Sequence, residues 1–208
     1  MDILSAFSTP IIICDIEENT EELKNESNYI KNYSQKPTGN IDIRDKENQF
    51  RILEKYPRIK KILLNKFKNF AKEKLNYTND FIITTSWITR ITKGEIGQFH
   101  CHKNSFWSGV YYFDEYNSNS GSLEFQSPLL NFSDFELIPT KWNGLTARTF
   151  KFPPRKNQLI LFPSYLFHQV TRCKDDYPRR SLAFNIIPIG KYGNQDSFYD
   201  INWVPRGW

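Results

Sequence analysis

From Phe81 onward the sequence is a succession of short apolar and aromatic runs, each cut off by a cluster of Gly, Pro, Asn or Ser. The runs are FIITTSWITRIT, FWSGVYYF, GSLEFQ, TARTFKF, NQLILF, LFHQVT and RRSLAFNII. β-Branched and aromatic side chains fit a pleated, half-buried surface, and the turn residues between runs bound each strand. With a first strand at residues 9–15 (TPIIICD), about eight strands are predicted. The helical signals gather on the N-terminal side. This order predicts a mainly β chain with flanking helices (α+β), a double-sheet jelly-roll barrel with the N-terminal helices packed on one sheet.

The segment KYPRIKKILLNKFKNFAKEK, Lys55–Lys74, carries apolar residues at Ile59, Ile62, Leu63, Phe67, Phe70 and Ala71. That is helical spacing, Pro57 suits the first turn, and the helix is expected to end near Leu75. The same twenty residues hold eight basic side chains against one acid, within a formal net charge of +5. A solvated outer helix face accounts for such a cluster; an anionic surface or nucleic acid is the competing partner. No aromatics interleave with base-reading residues, which disfavours nucleic acid. Residues 17–34 are polar and weakly helical, and residues 35–48 read as a loop without periodicity. Leu130–Leu145 (LNFSDFELIPTKWNGL) is too long for a hairpin turn and predicts a lid, with Trp142, Asn143 and Gly144 at its tip.

A single domain spanning 1–208 is expected: a strand and helical support over 1–80, the barrel core over 81–190 and a tail over 191–208. An apolar content of 39% is enough for a sizeable core. No stretch approaches the roughly 18 apolar residues of a membrane span. The start, MDILSAFSTPIIICDIEE, has no basic region ahead of its apolar run and does not read as a signal peptide. Cys14, Cys101 and Cys173 are odd in number and far apart, which suits a reducing cytoplasm. The abundance of Lys over Arg, with frequent Asn and Ile, suggests a low-GC genome, of a cell or of a virus in an infected host.

Two of the chain's three histidines fall in FHCHKNSFWSGVYYF, Phe99–Phe113. On a strand, side chains alternate between faces, so His100 and His102 point one way and Cys101 the other. Two imidazoles one pleat apart can reach a single metal ion. His168, in LILFPSYLFHQV, lies among apolar residues on an expected core strand; alone it would read as a hydrogen-bonded core residue. Together the three supply a facial set of nitrogen ligands and leave open positions on an octahedral ion. A structural zinc would be closed by four protein ligands, and no fourth is evident.

In RRSLAFNII, Arg179, Ser181, Ala183 and Asn185 share one parity, and Arg180, Leu182, Phe184 and Ile186 the other. The first set is small and polar around one guanidinium, so it is expected to face a polar cavity. An inward arginine requires an anion, and its planar fork matches a carboxylate, with Ser181 adding a hydrogen bond. A salt bridge to Asp175 or Asp176 is the alternative. Trp87, Trp107, Tyr111 and Tyr112 are candidates to line the cavity, at least half of them serving instead as plain sheet packing.

His-x-His, NSFWSGVYYF, LILFPSYLFHQV and RRSLAFNIIP, in that order from about Trp87 to Pro188, resemble the 2-oxoglutarate/Fe(II)-dependent oxygenases. The resemblance implies a double-stranded β-helix, a form of the jelly roll. It implies that His100 is the first metal ligand, His168 the last, and that Arg179 and Ser181 hold the distal carboxylate of 2-oxoglutarate. Fe(II), 2-oxoglutarate as co-substrate and O2 are the implied cofactors. The implied reaction is hydroxylation of an unidentified substrate, small or macromolecular, with release of succinate and CO2.

The chain departs from the broader superfamily at one position. Most members carry an acidic residue two places after the first histidine, where this chain has His102. The favoured frame takes His100, His102 and His168 as the metal ligands; the other takes His102 first and Asn104 second. Three neutral ligands leave the metal one charge more positive than a carboxylate would, and suit Zn, Ni or Cu as well as iron. Two other functional classes stay open: a three-histidine dioxygenase that does not use 2-oxoglutarate, and a non-catalytic jelly-roll binding module with a structural metal.

Overall fold

The computed structural model describes residues 2, 8–17, 21–34, 50–129 and 137–201. Its helical layer consists of α1 (Glu21–Ser34), a 3-10 turn (Ile52–Lys55) and α2 (Pro57–Glu73). In α2 the 3.6-residue spacing brings Ile59, Leu63, Phe67 and Ala71 onto one fully buried face. Phe67 meets Phe81 edge-on at 4.9 Å and Trp107 at 5.4 Å between ring centroids. Burying side chains of this size stabilises by roughly 1.5–3 kcal/mol each. The basic side chains occupy the outer face, where Lys60 pairs with Glu54 at 2.6 Å and Lys68 pairs with Asp80. Tyr56, at the helix N-cap, provides no side-chain acceptor. Glu26 of α1 takes that role from across the layer, accepting from the Ile59 N–H at 2.9 Å and the Arg58 N–H at 3.3 Å.

The strands are β1 (Ile12–Asp15), β2 (Asp80–Ile91), β3 (Trp107–Tyr112), β4 (Leu123–Gln126), β5 (Thr149–Phe152), β6 (Gln158–Pro163), β7 (His168–Val170), β8 (Arg179–Tyr192) and β9 (Tyr199–Ile201). A large antiparallel sheet runs β1-β6-β3-β8-β2, with β9 paired to β8, and a small one runs β5-β4-β7. Alternation along each strand sorts its residues into two cores. Trp107, Tyr111, Leu161, Leu182 and Phe184 meet the helices. Val110, Tyr112, Ile160 and Phe162 instead meet Leu123 and Phe125 of the small sheet. Gly109 is fixed by this packing: a Cβ there would lie 2.3 Å from the Phe184 ring.

The fold is thus the two-sheet β architecture with helices on one face that the run pattern predicts. Particular boundaries differ. The first strand begins at Ile12, two residues past Pro10, which has no N–H to donate to a ladder. The weakly helical stretch resolves into α1. The core strand β8 continues to Tyr192, past the expected boundary at 190, because Gly190, Lys191 and Tyr192 pair with β9. The loop expected over 35–48 lies outside the described residues. Residues 130–136 of the expected lid also lie outside them, and Trp142 is half exposed.

Candidate active site

The His-x-His pair lies on an extended segment between β2 and β3 rather than within a strand. His100 is nonetheless tied to β7, as it exchanges both backbone hydrogen bonds with His168, at 3.0 and 2.9 Å. The His102 N–H donates to the Ser164 carbonyl at 2.9 Å, which fixes the second histidine against the turn ahead of β7. These backbone links bring the three rings together, with centroids 4.5, 4.9 and 5.1 Å apart. One nitrogen from each lies within 4.8 Å of the others. The His100 and His102 Nε2 atoms are 3.2 Å apart.

Each Nδ1 is engaged elsewhere. His100 Nδ1 meets the Gln98 carbonyl at 2.7 Å and His168 Nδ1 the Leu166 carbonyl at 2.9 Å. A carbonyl can only accept, so both imidazoles carry the proton on Nδ1 and present an Nε2 lone pair to the centre. His102 Nδ1 meets the Asn185 side-chain oxygen at 2.7 Å. Burial depresses the His168 pKa to about 3, and burial together with the neighbouring His100 lowers that of His102. Neutral imidazole is the form a metal requires. Trp87 stacks on His102 at 5.5 Å, and Phe162 closes on His168 at 4.8 Å.

Arg179 is 1% exposed. Its Nη1 donates to Ser181 Oγ at 3.1 Å and its Nη2 to the Tyr112 hydroxyl at 2.9 Å, while Nε has no partner among the described residues. Neither alternative carboxylate reaches it. Asp175 accepts from Asn117 and Ser120, and Asp176 pairs with Lys93 at 2.7 Å. Arg180 lies on the opposite face, 3.1 Å from Asp114, which also pairs with Lys31 at 3.2 Å. Two adjacent arginines are therefore buried in opposite ways, one with a carboxylate and one with hydroxyls alone. Burial raises the Tyr112 pKa, against the pull of Arg179, so the phenol keeps its proton.

The three histidines, Arg179 and Ser181 line one cleft of about 600 Å³, whose described lining contains no Asp or Glu. Convergent neutral nitrogens fit a divalent metal, and a buried guanidinium with an unpartnered Nε fits the carboxylate of an anionic co-substrate. Asn104 does not join them: it is exposed in a tight turn with φ of 56°. Cys101 lies along the cleft wall, but its thiol is not among the convergent ligand atoms. Of the aromatic candidates, Trp87 lines the cleft and Tyr112 holds Arg179, whereas Trp107 and Tyr111 pack against the helices. The lid residues 137–145 are not among the lining.

Two functional contacts escaped the sequence. The Tyr112 partnership with Arg179 was signalled only by its shared parity with Ser108 and Val110. Asn185 shares parity with Arg179, but nothing local shows that it reaches back to His102, 83 positions away.

The fold and site define a class: a double-stranded β-helix with a three-histidine centre beside a buried arginine. Residues 85–185, a segment that contains all five candidate residues, match the family model described as "Putative 2OG-Fe(II) oxygenase", and the match bears out the resemblance read from the motifs. No curated protein matches the chain in sequence. Among solved structures, HygX from Streptomyces hygroscopicus with nickel and 2-oxoglutarate bound is 12% identical over 86% of this chain and 82% of its own, with a TM-score of 0.54. The non-heme alpha ketoglutarate dependent epimerase SnoN from nogalamycin biosynthesis is 8% identical over 88% and 79%, with a TM-score of 0.60. At these identities the likeness shows the fold. The chain spans half the length of an oxidoreductase of the 2OG-Fe(II) oxygenase family from Burkholderia pseudomallei, at 15% identity and a TM-score of 0.42.

Proposed function

We propose that this chain is an Fe(II)- and 2-oxoglutarate-dependent dioxygenase that hydroxylates an unidentified substrate. The observation that carries the reading is the pairing, in one cleft, of three convergent imidazole nitrogens with a buried arginine that has no carboxylate partner among the described residues. His100, His102 and His168 would hold the metal; Arg179, supported by Ser181 and Tyr112, would hold the distal carboxylate of the co-substrate. Bound together, these groups supply the oxidising power: the co-substrate and O2 become succinate and CO2 as one oxygen atom enters a substrate C–H bond.

The chain's own contribution is geometric and electrostatic. The two backbone bonds between His100 and His168 hold the first and last ligands in register, so the site needs little reorganisation on loading. Arg179 orients the co-substrate within the cleft, and Trp87 and Phe162 pack against the His102 and His168 rings, while His100 is exposed. The cysteines are free, and no described helix is long and apolar enough to cross a membrane. We place the protein in the cytoplasm, acting as a single domain.

Uncoupled turnover tests the reading. Iron-loaded protein with 2-oxoglutarate and O2, but no added substrate, should form succinate slowly, and the formation should vanish in His168→Ala. Succinate no higher than an iron-only blank, with tightly held zinc in the purified protein, would favour a binding module instead.

A further inference from the structure

The side chain of Asn185 sits at a junction of β8, β2 and β3. Its Oδ1 lies 2.7 Å from His102 Nδ1 and 2.9 Å from the Ser108 hydroxyl, which donates to it. Its Nδ2 donates to Thr85 Oγ1 at 3.0 Å. The sheet register places both hydroxyls directly opposite it, Ser108 on β3 and Thr85 on β2. Ser108 is buried and is itself bonded to Ser164 at 2.8 Å, in the turn whose carbonyl holds the His102 N–H. The amide is thus gripped at both ends by strands that cannot shift independently.

Among the three histidines, His102 is the exception in how its ring is set. The other two face backbone carbonyls, which leave the imidazole no choice of tautomer. His102 faces an amide, and an amide can present oxygen or nitrogen. With oxygen inward, Nδ1 carries the proton and Nε2 offers a lone pair to the centre. With nitrogen inward, Nε2 would carry the proton and could not ligate. The structure holds the oxygen-inward state, in which the Ser108 hydroxyl donates to Oδ1 and the Thr85 hydroxyl accepts from Nδ2.

We propose that Asn185 is the positioning residue for His102, selecting the tautomer and ring angle that make this position a metal ligand where the broader superfamily has a carboxylate. A ligating histidine depends on the acceptor at its other nitrogen, and losing such an acceptor costs 10–100-fold in metal affinity. The neutral amide completes a site with no carboxylate ligand or acceptor among the described residues, leaving the full metal charge to attract an anionic co-substrate. The inference rests on the metal reading above.

Co(II) titration of the metal-free protein tests it, because the visible d–d bands report affinity and ligand geometry without turnover. Asn185→Leu, similar in volume, should weaken Co(II) binding at least tenfold and change the band pattern. Asn185→Asp, which keeps acceptor oxygens in place, should bind Co(II) at least as tightly as the unaltered protein. Asn185→Leu that is folded, with unchanged affinity and bands, would overturn the proposal. If that variant does not fold, tenfold weaker binding by Asn185→Asp would overturn it equally. Absence of Co(II) binding by the unaltered protein would bring down the metal reading itself, an outcome distinct from both.

Discussion

Arg179 and Arg180 are adjacent, equally buried and chemically identical, yet the strand gives them different work. Arg180 has the Asp114 carboxylate beside it, whereas the partners of Arg179 among the described residues are hydroxyls; the Nε of each has no described partner. Arg179→Ala should therefore raise the 2-oxoglutarate requirement by about 2–5 kcal/mol, at least some 30-fold, the cost of unpairing a buried charged hydrogen-bonded pair. Arg180→Ala leaves the buried Asp114 carboxylate with Lys31 and the Tyr177 hydroxyl, and should lower stability by less than the roughly 3–5 kcal/mol of a stranded buried charge, with little change in co-substrate affinity. Urea denaturation and a co-substrate titration on the same two variants separate the effects. Equal shifts in co-substrate affinity would show that the two faces of β8 are not distinct. The parity of β8 was legible because alternation is local; the Tyr112 and Asn185 contacts were not, because they depend on which strands are neighbours.

At the scale of elements, α2 supports the large sheet from behind, and its helical period was plain from Ile59 to Ala71. What starts the helix was not plain, since the residue at its N-cap offers no acceptor and the cap comes from Glu26, 33 positions before Ile59. Glu26→Ala leaves two N-terminal N–H groups without an acceptor and removes a negative charge from the positive end of the helix. Stability should fall by roughly 1–2 kcal/mol, the usual scale for losing a cap. The cleft is built from the other face of the sheet, so metal affinity in the folded variant should stay unchanged. A chemical melt and a Co(II) titration check the two halves of that expectation. Short strands such as β9 were missed for the same reason as the cap: a three-residue pairing carries too little pattern to announce itself.

For the whole molecule, the large sheet packs on the helices with one face and on the small sheet with the other, and every candidate site residue lines one cleft. The His-x-His segment belongs to neither sheet's regular ladder and is held by its bridge to β7. Sequence spacing could indicate that His100 and His102 share a direction, but only the closure of the barrel shows that His168 and Arg179 meet them in one cleft. The central claim is that metal and co-substrate are held together there, one by the histidines and the other by Arg179. Anaerobic titration of the metal-free protein with Fe(II) and then 2-oxoglutarate, followed in the visible, tests this most directly. A weak metal-to-ligand charge-transfer band should develop only when both are present, be absent in His168→Ala, and require far more 2-oxoglutarate in Arg179→Ala. Stoichiometric Fe(II) binding with no such band at any 2-oxoglutarate concentration would contradict the account.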